Sequence, residues 1–367
     1  MSERTPEMMS NPGQYGTLNG MLVIRKEKGY TSNDVVEKLR GILHMRKIGH
    51  TGTLDPMAEG VLPVCLGNAT KLTDLVADKD KEYVAVLHLG VTTDTQDKTG
   101  NVLDSIPSSQ VRAILLGQNL SGQDLPGESC QGQNCPGQNK TDDEMTIQEE
   151  QKSIEQAVKN CASSFTGTIC QLPPMYSAVH YKGKRLYDLA RQGIQVERRP
   201  REVTISELEI QKVDLPFVSM RVVCSKGTYI RTLCEDMGNA LGTGGTMESL
   251  LRTRVGCFTL EEAITLDEVE TIRKQKGEEG IRTKIIPVDR IFADNPSLHV
   301  KDDALRFLQN GNILIQEDVM EEELPHAKRI RLYDAQGKFY ALYRYDQDEE
   351  GKEQLIPVKV FYSSSSM

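Results

Sequence analysis

The chain has 367 residues, 38% of them hydrophobic and 26% charged, a balance that excludes wholesale disorder and allows a sizeable core in two domains. Its net charge of −9 argues, as an average, against a nucleic-acid partner, yet steering depends on where charge sits. Eight cysteines without a C-x-x-C pair point away from zinc and from a disulfide framework. The first twenty residues lack an apolar signal core and no apolar run approaches membrane-spanning length, so a cytoplasmic, membrane-free setting is expected.

Residues 1–18 carry Pro, Gly, Ser and Asn without periodicity and read as a mobile tail. Leu22, Val23 and Ile24 begin a strand. Thr31 and Asp34 then form a capping-box start, and Val35, Val36, Leu39, Ile42 and Leu43 share one face of the helix that follows. A short helix is predicted from Ala69 to about Val76, and a strand with apolar residues on both faces, hence buried, from Tyr83 to Leu89. From about Ser105 to Asp143 the composition turns to Gly, Gln, Ser, Asn and Asp, which reads as a low-complexity loop insertion.

An amphipathic helix follows, marked by Ile147, Ile154, Val158 and Cys161. Strands are predicted near Val203–Val213 and Phe217–Cys224, and a helix from about Tyr229 to Leu241 that ends at Gly242. In the last segment, Arg329–Tyr333, a turn over Ala335–Lys338 and Phe339–Tyr343 read as a hairpin, and Leu355–Tyr362 as a further strand.

The stretch Gly49-His50-Thr51-Gly52-Thr53-Leu54-Asp55-Pro56 places one carboxylate in a loop suited to close backbone approach, between the helix before it and the apolar run Val61–Leu66. Pro56 forbids continued helix at Asp55. An Asx-turn or a helix cap accounts for most Asp-Pro pairs, so the pair taken alone does not decide the matter.

The longer run Lys47-Ile48-Gly49-His50-Thr51-Gly52-Thr53-Leu54-Asp55-Pro56-Met57-Ala58-Glu59-Gly60-Val61-Leu62-Pro63 resembles the catalytic motif of the TruB family of pseudouridine synthases. Lys81-Glu82-Tyr83, Leu172-Pro173-Pro174-Met175-Tyr176-Ser177-Ala178 and Ser225-Lys226-Gly227-Thr228-Tyr229-Ile230-Arg231-Thr232 resemble the same family in the same order. The likeness covers about residues 19–260. Glu59 departs from it, standing where a small or hydroxyl residue is expected.

The resemblance implies an α+β pseudouridine-synthase fold: a mainly antiparallel mixed sheet flanked by helices, with a small C-terminal β-rich PUA-like domain. The expected layout is a tail at 1–18, a catalytic domain at 19–284 and the β domain at 285–367. The catalytic domain carries the insertion at 105–143 and a thumb-like RNA-binding segment at 172–202. A structural or oligomerising role for the last domain stays open.

It implies a tRNA pseudouridine synthase that flips the T-loop uridine (U55 in tRNA numbering) out of its stack, with Asp55 either adding as nucleophile to sugar or base or assisting glycosidic cleavage before reattachment. Arg231 is implied as the cation that keeps Asp55 ionised, Tyr83 as the group at the uracil ring and its C5 proton, and Tyr229 as a stacking ring. Leu250 packs under the base or is a plain core leucine, and His50 inserts among T-loop nucleotides. Lys71 and Lys226 are phosphate contacts or solvated surface lysines.

The segment from Lys182 to Arg201 carries Lys182, Lys184, Arg185, Arg191, Arg198, Arg199 and Arg201 against Asp188 and Glu197. With Tyr176, Tyr181 and Tyr187 nearby it reads as an RNA-facing surface, Lys184 and Arg185 included. The expected partner is the tRNA T-arm, the expected state a monomer, and no metal or cofactor is required because the isomerisation loses no atom and changes no oxidation state. A tRNA-folding chaperone with secondary catalysis and a guide-RNA-dependent relative are the alternatives.

Overall fold

Strand Lys81–Leu89 buries every second side chain, Lys81, Tyr83, Ala85, Leu87 and Leu89, while Glu82, Val84, Val86 and His88 between them are half-buried. The expectation of burial on both faces thus holds fully for one. The computed structural model describes residues 18–118 and 140–361, so most of the expected tail and the 119–139 part of the expected insertion lie outside the described residues. The described residues form two compact units, one from 18–56, 60–77 and 257–361, the other from 57–59 and the described part of 78–256.

In the first unit Gly20–Lys26 pairs antiparallel with Glu59–Leu66, which also takes up the short strand Ile48–His50. Helix Ser32–Leu43 opens with the expected capping box, Thr31 accepting from the Asp34 backbone and Asp34 from that of Thr31. Its buried face, Val35, Val36, Leu39 and Leu43, joins Leu22, Ile24, Leu62, Val64 and Leu66 in one core, together with Leu266, Val269 and Ile281 of the later helix Leu266–Arg282. Leu18, placed by sequence at the end of the tail, is buried in this core.

The final strands of this unit have a sheet and a core of their own. Ile330–Tyr333 and Phe339–Gln347 form the expected hairpin, Gly337 taking the left-handed conformation its turn needs, with Glu353–Val360 beside it. Ser297–His299 adds a parallel edge to Ile330–Tyr333. Leu298, Val300, Leu308, Leu314, Leu332, Tyr343 and Leu355 fill the interior.

The second unit is an antiparallel sheet in the order Gly245–Val255, Lys81–Leu89, Phe217–Cys224, Arg201–Asp214, Gly167–Gln171. Helix Ile230–Ala240 approaches it closely because Gly238 meets the backbone of Gly244 and Gly245, leaving no room for a Cβ. A Cβ on Gly245 would in turn sit 2.8 Å from Leu87 Cδ1 and 2.8 Å from Cys234 O, so the helix covers the sheet face that carries Leu87 and, by alternation, Tyr83.

Helix Lys140–Ser164 buries Ile154 and Val158 as expected, but Ile147 is exposed. The first part of the expected loop insertion is itself helical. Ser108–Leu115 buries Val111, and Arg112 is paired with Glu150 at 2.5 Å. The apolar spacing of Val111, Ile114 and Leu115, near the start of that stretch, accounts for it.

Candidate active site

The Asp55 loop is pinned on both sides. Before the aspartate, the Leu54 amide donates to Ser32 Oγ at 2.9 Å and Leu54 O accepts from the same hydroxyl at 3.4 Å, both groups buried. After it, Pro56 O accepts from the Gly29 amide at 2.9 Å and from Lys26 Nζ at 3.1 Å. Lys26, only 1% exposed, spends its other donors on Tyr30 O at 2.7 Å and Glu27 O at 3.0 Å. Earlier in the loop the Thr51 amide and hydroxyl both donate to Pro63 O, at 3.1 and 3.2 Å. Asp55 itself is half-buried on this frame. His50 sits opposite Val64 in the short strand, and exposed Lys71 donates to Val360 O at 2.9 Å.

In the second unit the sheet gathers Tyr83 and Leu250. Tyr83 stands opposite Arg252 and Leu250 opposite Ala85, so all four side chains belong to one face. Arg252 is 2% exposed and its guanidinium is hydrogen-bonded to the Tyr83 side chain. Burial pulls the Arg252 pKa down and the Tyr83 oxygen opposes that fall. Lys81, on the same face, is pushed down to about 8, chiefly by burial and then by the charge of Arg252.

Tyr229 is the N-cap of helix Ile230–Ala240. Its backbone is gripped by buried Gln171, whose Oε1 accepts from the Tyr229 amide at 3.0 Å and whose Nε2 donates to Tyr229 O at 3.3 Å. This holds the half-buried ring at the start of the helix. One residue on, buried Arg231 donates to Thr95 O at 3.0 Å and to Tyr176 O at 2.8 Å, and lies 3.8 Å from Asp97 Oδ2. Asp97 is fixed in turn, its Oδ1 accepting from the Thr99 amide at 2.9 Å and from the Thr95 hydroxyl at 2.9 Å. The guanidinium is therefore oriented by two carbonyls and a carboxylate of its own unit.

The basic segment is built on a two-residue turn. His180 pairs with Arg185 and Tyr181 with Lys184, and Lys182 and Gly183 between them both take positive φ, at 48° and 82°, as a type I′ turn requires. Leu186 and Leu189 are buried and anchor it. Lys184 and Arg185 are exposed, Lys182 lies over the Tyr181 ring, and Arg185 and Arg191 lie over that of Tyr187. Lys226 is exposed and paired with Asp78 at 2.7 Å.

Four side chains that sequence reasoning passed over carry much of this construction: Lys26, Gln171, Asp97 and Arg252. Arg252 alone leaves a signal, as a cation ending the apolar pair Leu250-Leu251 within a strand. Among the described residues no helix is long and apolar enough to cross a membrane, and no group of three His, Cys, Asp or Glu is placed to hold a metal ion.

Comparison with known proteins fits these motifs. The profile of the TruB family pseudouridylate synthase N-terminal domain matches residues 40–122 and 133–230, and that of the tRNA pseudouridylate synthase B C-terminal domain matches 231–293. The first match therefore omits only 123–132 of the expected insertion. A protein of Lachnoclostridium phytofermentans named tRNA pseudouridine synthase B is 43% identical over 94% of this chain and 100% of its own length. One of that name from Clostridium tetani is 38% identical over 89% of this chain and 95% of its own.

Among solved structures, a Cbf5–Nop10–Gar1 complex matches with a TM-score of 0.61 at 26% identity, over 94% of this chain and 85% of the other. The sheet order, the covering helix and the separate C-terminal sheet are those of a pseudouridine-synthase fold followed by a PUA-like β domain. The chain belongs to the TruB family of pseudouridylate synthases.

Proposed function

We propose that this protein isomerises uridine to pseudouridine in tRNA, that its target is the T-loop uridine U55, and that Asp55 is the nucleophile. The observation that carries this reading is the pinned loop. Inside the family's motif, both neighbours of Asp55 are tied by hydrogen bonds, buried on the Leu54 side and partly buried on the Pro56 side, which holds the backbone on either side of a half-buried aspartate. A loop held this way is pre-organised for attack, and orientation is a large part of what an enzyme contributes to such a step. The names of the relatives supply the RNA class.

The chemistry divides among few groups. Asp55 adds to C1′ of the sugar or to the base, the N1–C1′ bond breaks, and C1′ rejoins the ring at C5. Arg231 is the cation that keeps the carboxylate ionised. Tyr83 takes the proton that C5 must lose. Tyr229 stacks on the flipped base, Leu250 packs beneath it, and His50 holds the T-loop open. Lys71, Lys226, Lys184 and Arg185 meet phosphates. The enzyme works as a cytoplasmic monomer on the T-arm and needs neither metal nor redox cofactor.

The test is release of tritium from [5-³H]uridine-labelled tRNA, with the modified position mapped chemically. Wild type should release tritium and mark U55, and Asp55→Asn should do neither while retaining most RNA affinity. Normal release by the Asn variant overturns the assignment of Asp55. Modification at another uridine overturns the target, and activity that needs an added guide RNA overturns the stand-alone reading.

A further inference from the structure

Tyr83 and Arg252 face each other across two neighbouring strands, at paired register positions in the middle of the sheet. Both are buried, and the guanidinium is hydrogen-bonded to the phenol. A buried arginine is costly, since taking a cation out of water costs several kcal/mol even after relaxation. A strand position opposite a phenol lowers that cost most when the phenol is an anion. Hydrogen bonds to a charged partner are roughly twice as strong as neutral ones. The same pairing acts in reverse on the tyrosine, because a cation at hydrogen-bond distance favours the charged form of its neighbour.

We propose that Arg252 is a positioning residue for the isomerisation: it holds the Tyr83 hydroxyl in place and stabilises its phenolate, the form that removes the C5 proton. The inference rests on the reading of Tyr83 given above. In the step concerned, the C5–H bond breaks and its proton passes to the phenolate oxygen. The electron pair stays in the ring and restores the C5=C6 double bond, N1 takes a proton from solvent, and the tyrosine returns its own proton to solvent. The sum is an isomerisation, with no atom or electron gained or lost.

Other charged groups on this face bear on the pH dependence. Lys81 lies two residues before Tyr83 on the same strand, with Cys224 opposite it on the next. The helix covering the face contributes Arg231, Glu235 and Asp236. Glu82, Arg221 and Arg254 form their ion pairs through the alternate position of the strand and belong to the other face. Lys81 is the competing titrant, since burial and the Arg252 charge bring it down to about 8.

The experiment is the pH profile of the single-turnover rate of tritium release, measured at saturating enzyme. Wild type should show an ascending limb below the ordinary phenol value of about 10. Arg252→Gln should be on the order of ten- to a hundred-fold slower at neutral pH, with the limb moved up by about one to two units so that the rate recovers in alkali. Arg252→Lys should fall between, and 3-fluorotyrosine at position 83, which ionises more readily, should restore Arg252→Gln near pH 7. In Tyr83→Phe, a second change at Arg252 should add little.

A limb unmoved in Arg252→Gln overturns the proposal, and so does one that disappears in Lys81→Met. Should Arg252→Gln not fold, titration of the Tyr83 ring by ¹³Cζ NMR in the wild-type protein decides. Ionisation below the ordinary value supports the proposal, and ionisation at or above it refutes it. Wild type that releases no tritium from any tRNA would instead fail the functional reading.

Discussion

Lys26→Met is the sharpest test of the frame around Asp55. Lys26 Nζ donates to three backbone carbonyls, of Glu27, Tyr30 and Pro56, from a position almost closed to water. Methionine fills nearly the same volume but donates nothing. Three charge-assisted hydrogen bonds at about 1.5–3 kcal/mol each give a gross loss of roughly 5–9 kcal/mol. Removing a buried ammonium returns several kcal/mol of desolvation. The net expectation is a destabilisation of about 2–4 kcal/mol, read from urea unfolding midpoints at unchanged slope. Pro56 directly follows Asp55, so the loop should also lose orientation. The single-turnover rate of tritium release should fall about ten- to a hundred-fold with the tRNA dissociation constant nearly unchanged. A variant that loses the stability but keeps its rate would show that Asp55 is oriented by something other than this clamp, and unchanged stability would refute the energetic argument itself.

Replacing Lys182, Lys184 and Arg185 together by Gln should weaken tRNA binding and lower the slope of log affinity against log salt by roughly one per lost phosphate contact, without moving the modified uridine; fluorescence titrations across salt concentrations measure both. Gly238→Ala places a methyl against the backbone of Gly244 and Gly245, and should lower stability by about 1–3 kcal/mol, visible as a reduced melting temperature. Lys81 is held down to about 8 from 10.5 by burial, so between those values the unfolded chain keeps a proton that the folded protein has released. Stability from this group therefore rises with pH across that window, and Lys81→Met should abolish that part of the slope in urea unfolding series. Tyr229→Ala should cost about 1–3 kcal/mol in RNA affinity, by the same titrations, if its ring is the stacking platform.

Local rules made much of the chain legible. The capping box at Thr31 and Asp34, the apolar face of the helix behind it and the hairpin over Ala335–Lys338 are each set within a few residues, and the sequence is sufficient to place them. The residues that steady the site belong to another class. Lys26 is buried because three carbonyls converge on it, Gln171 because the Tyr229 backbone lies across from its strand end, and Arg252 because its register partner is a phenol. Each depends at least in part on a segment distant in the chain, Pro56 in the case of Lys26, so neither propensity nor period announces it. Asp97 is similar, a polar turn residue until Arg231 is folded beside it. The helix at Ser108–Leu115 was hidden for a different reason: it is only 8 residues long, and glycine- and glutamine-rich sequence follows at once.

The ion pair between Lys226 and Asp78 changes what that lysine contributes to binding. A lysine with a carboxylate at 2.7 Å is half of a neutral unit, so a phosphate arriving beside it meets little net charge and sheds few of its own condensed ions. Asp78 then acts as a built-in counterion that no dilution of the buffer removes. Of the cations assigned to phosphates, Lys226 should weigh least in the salt dependence of tRNA binding. Asp78→Asn should make that dependence steeper and the complex tighter, even though it alters a side chain with no role in the chemistry.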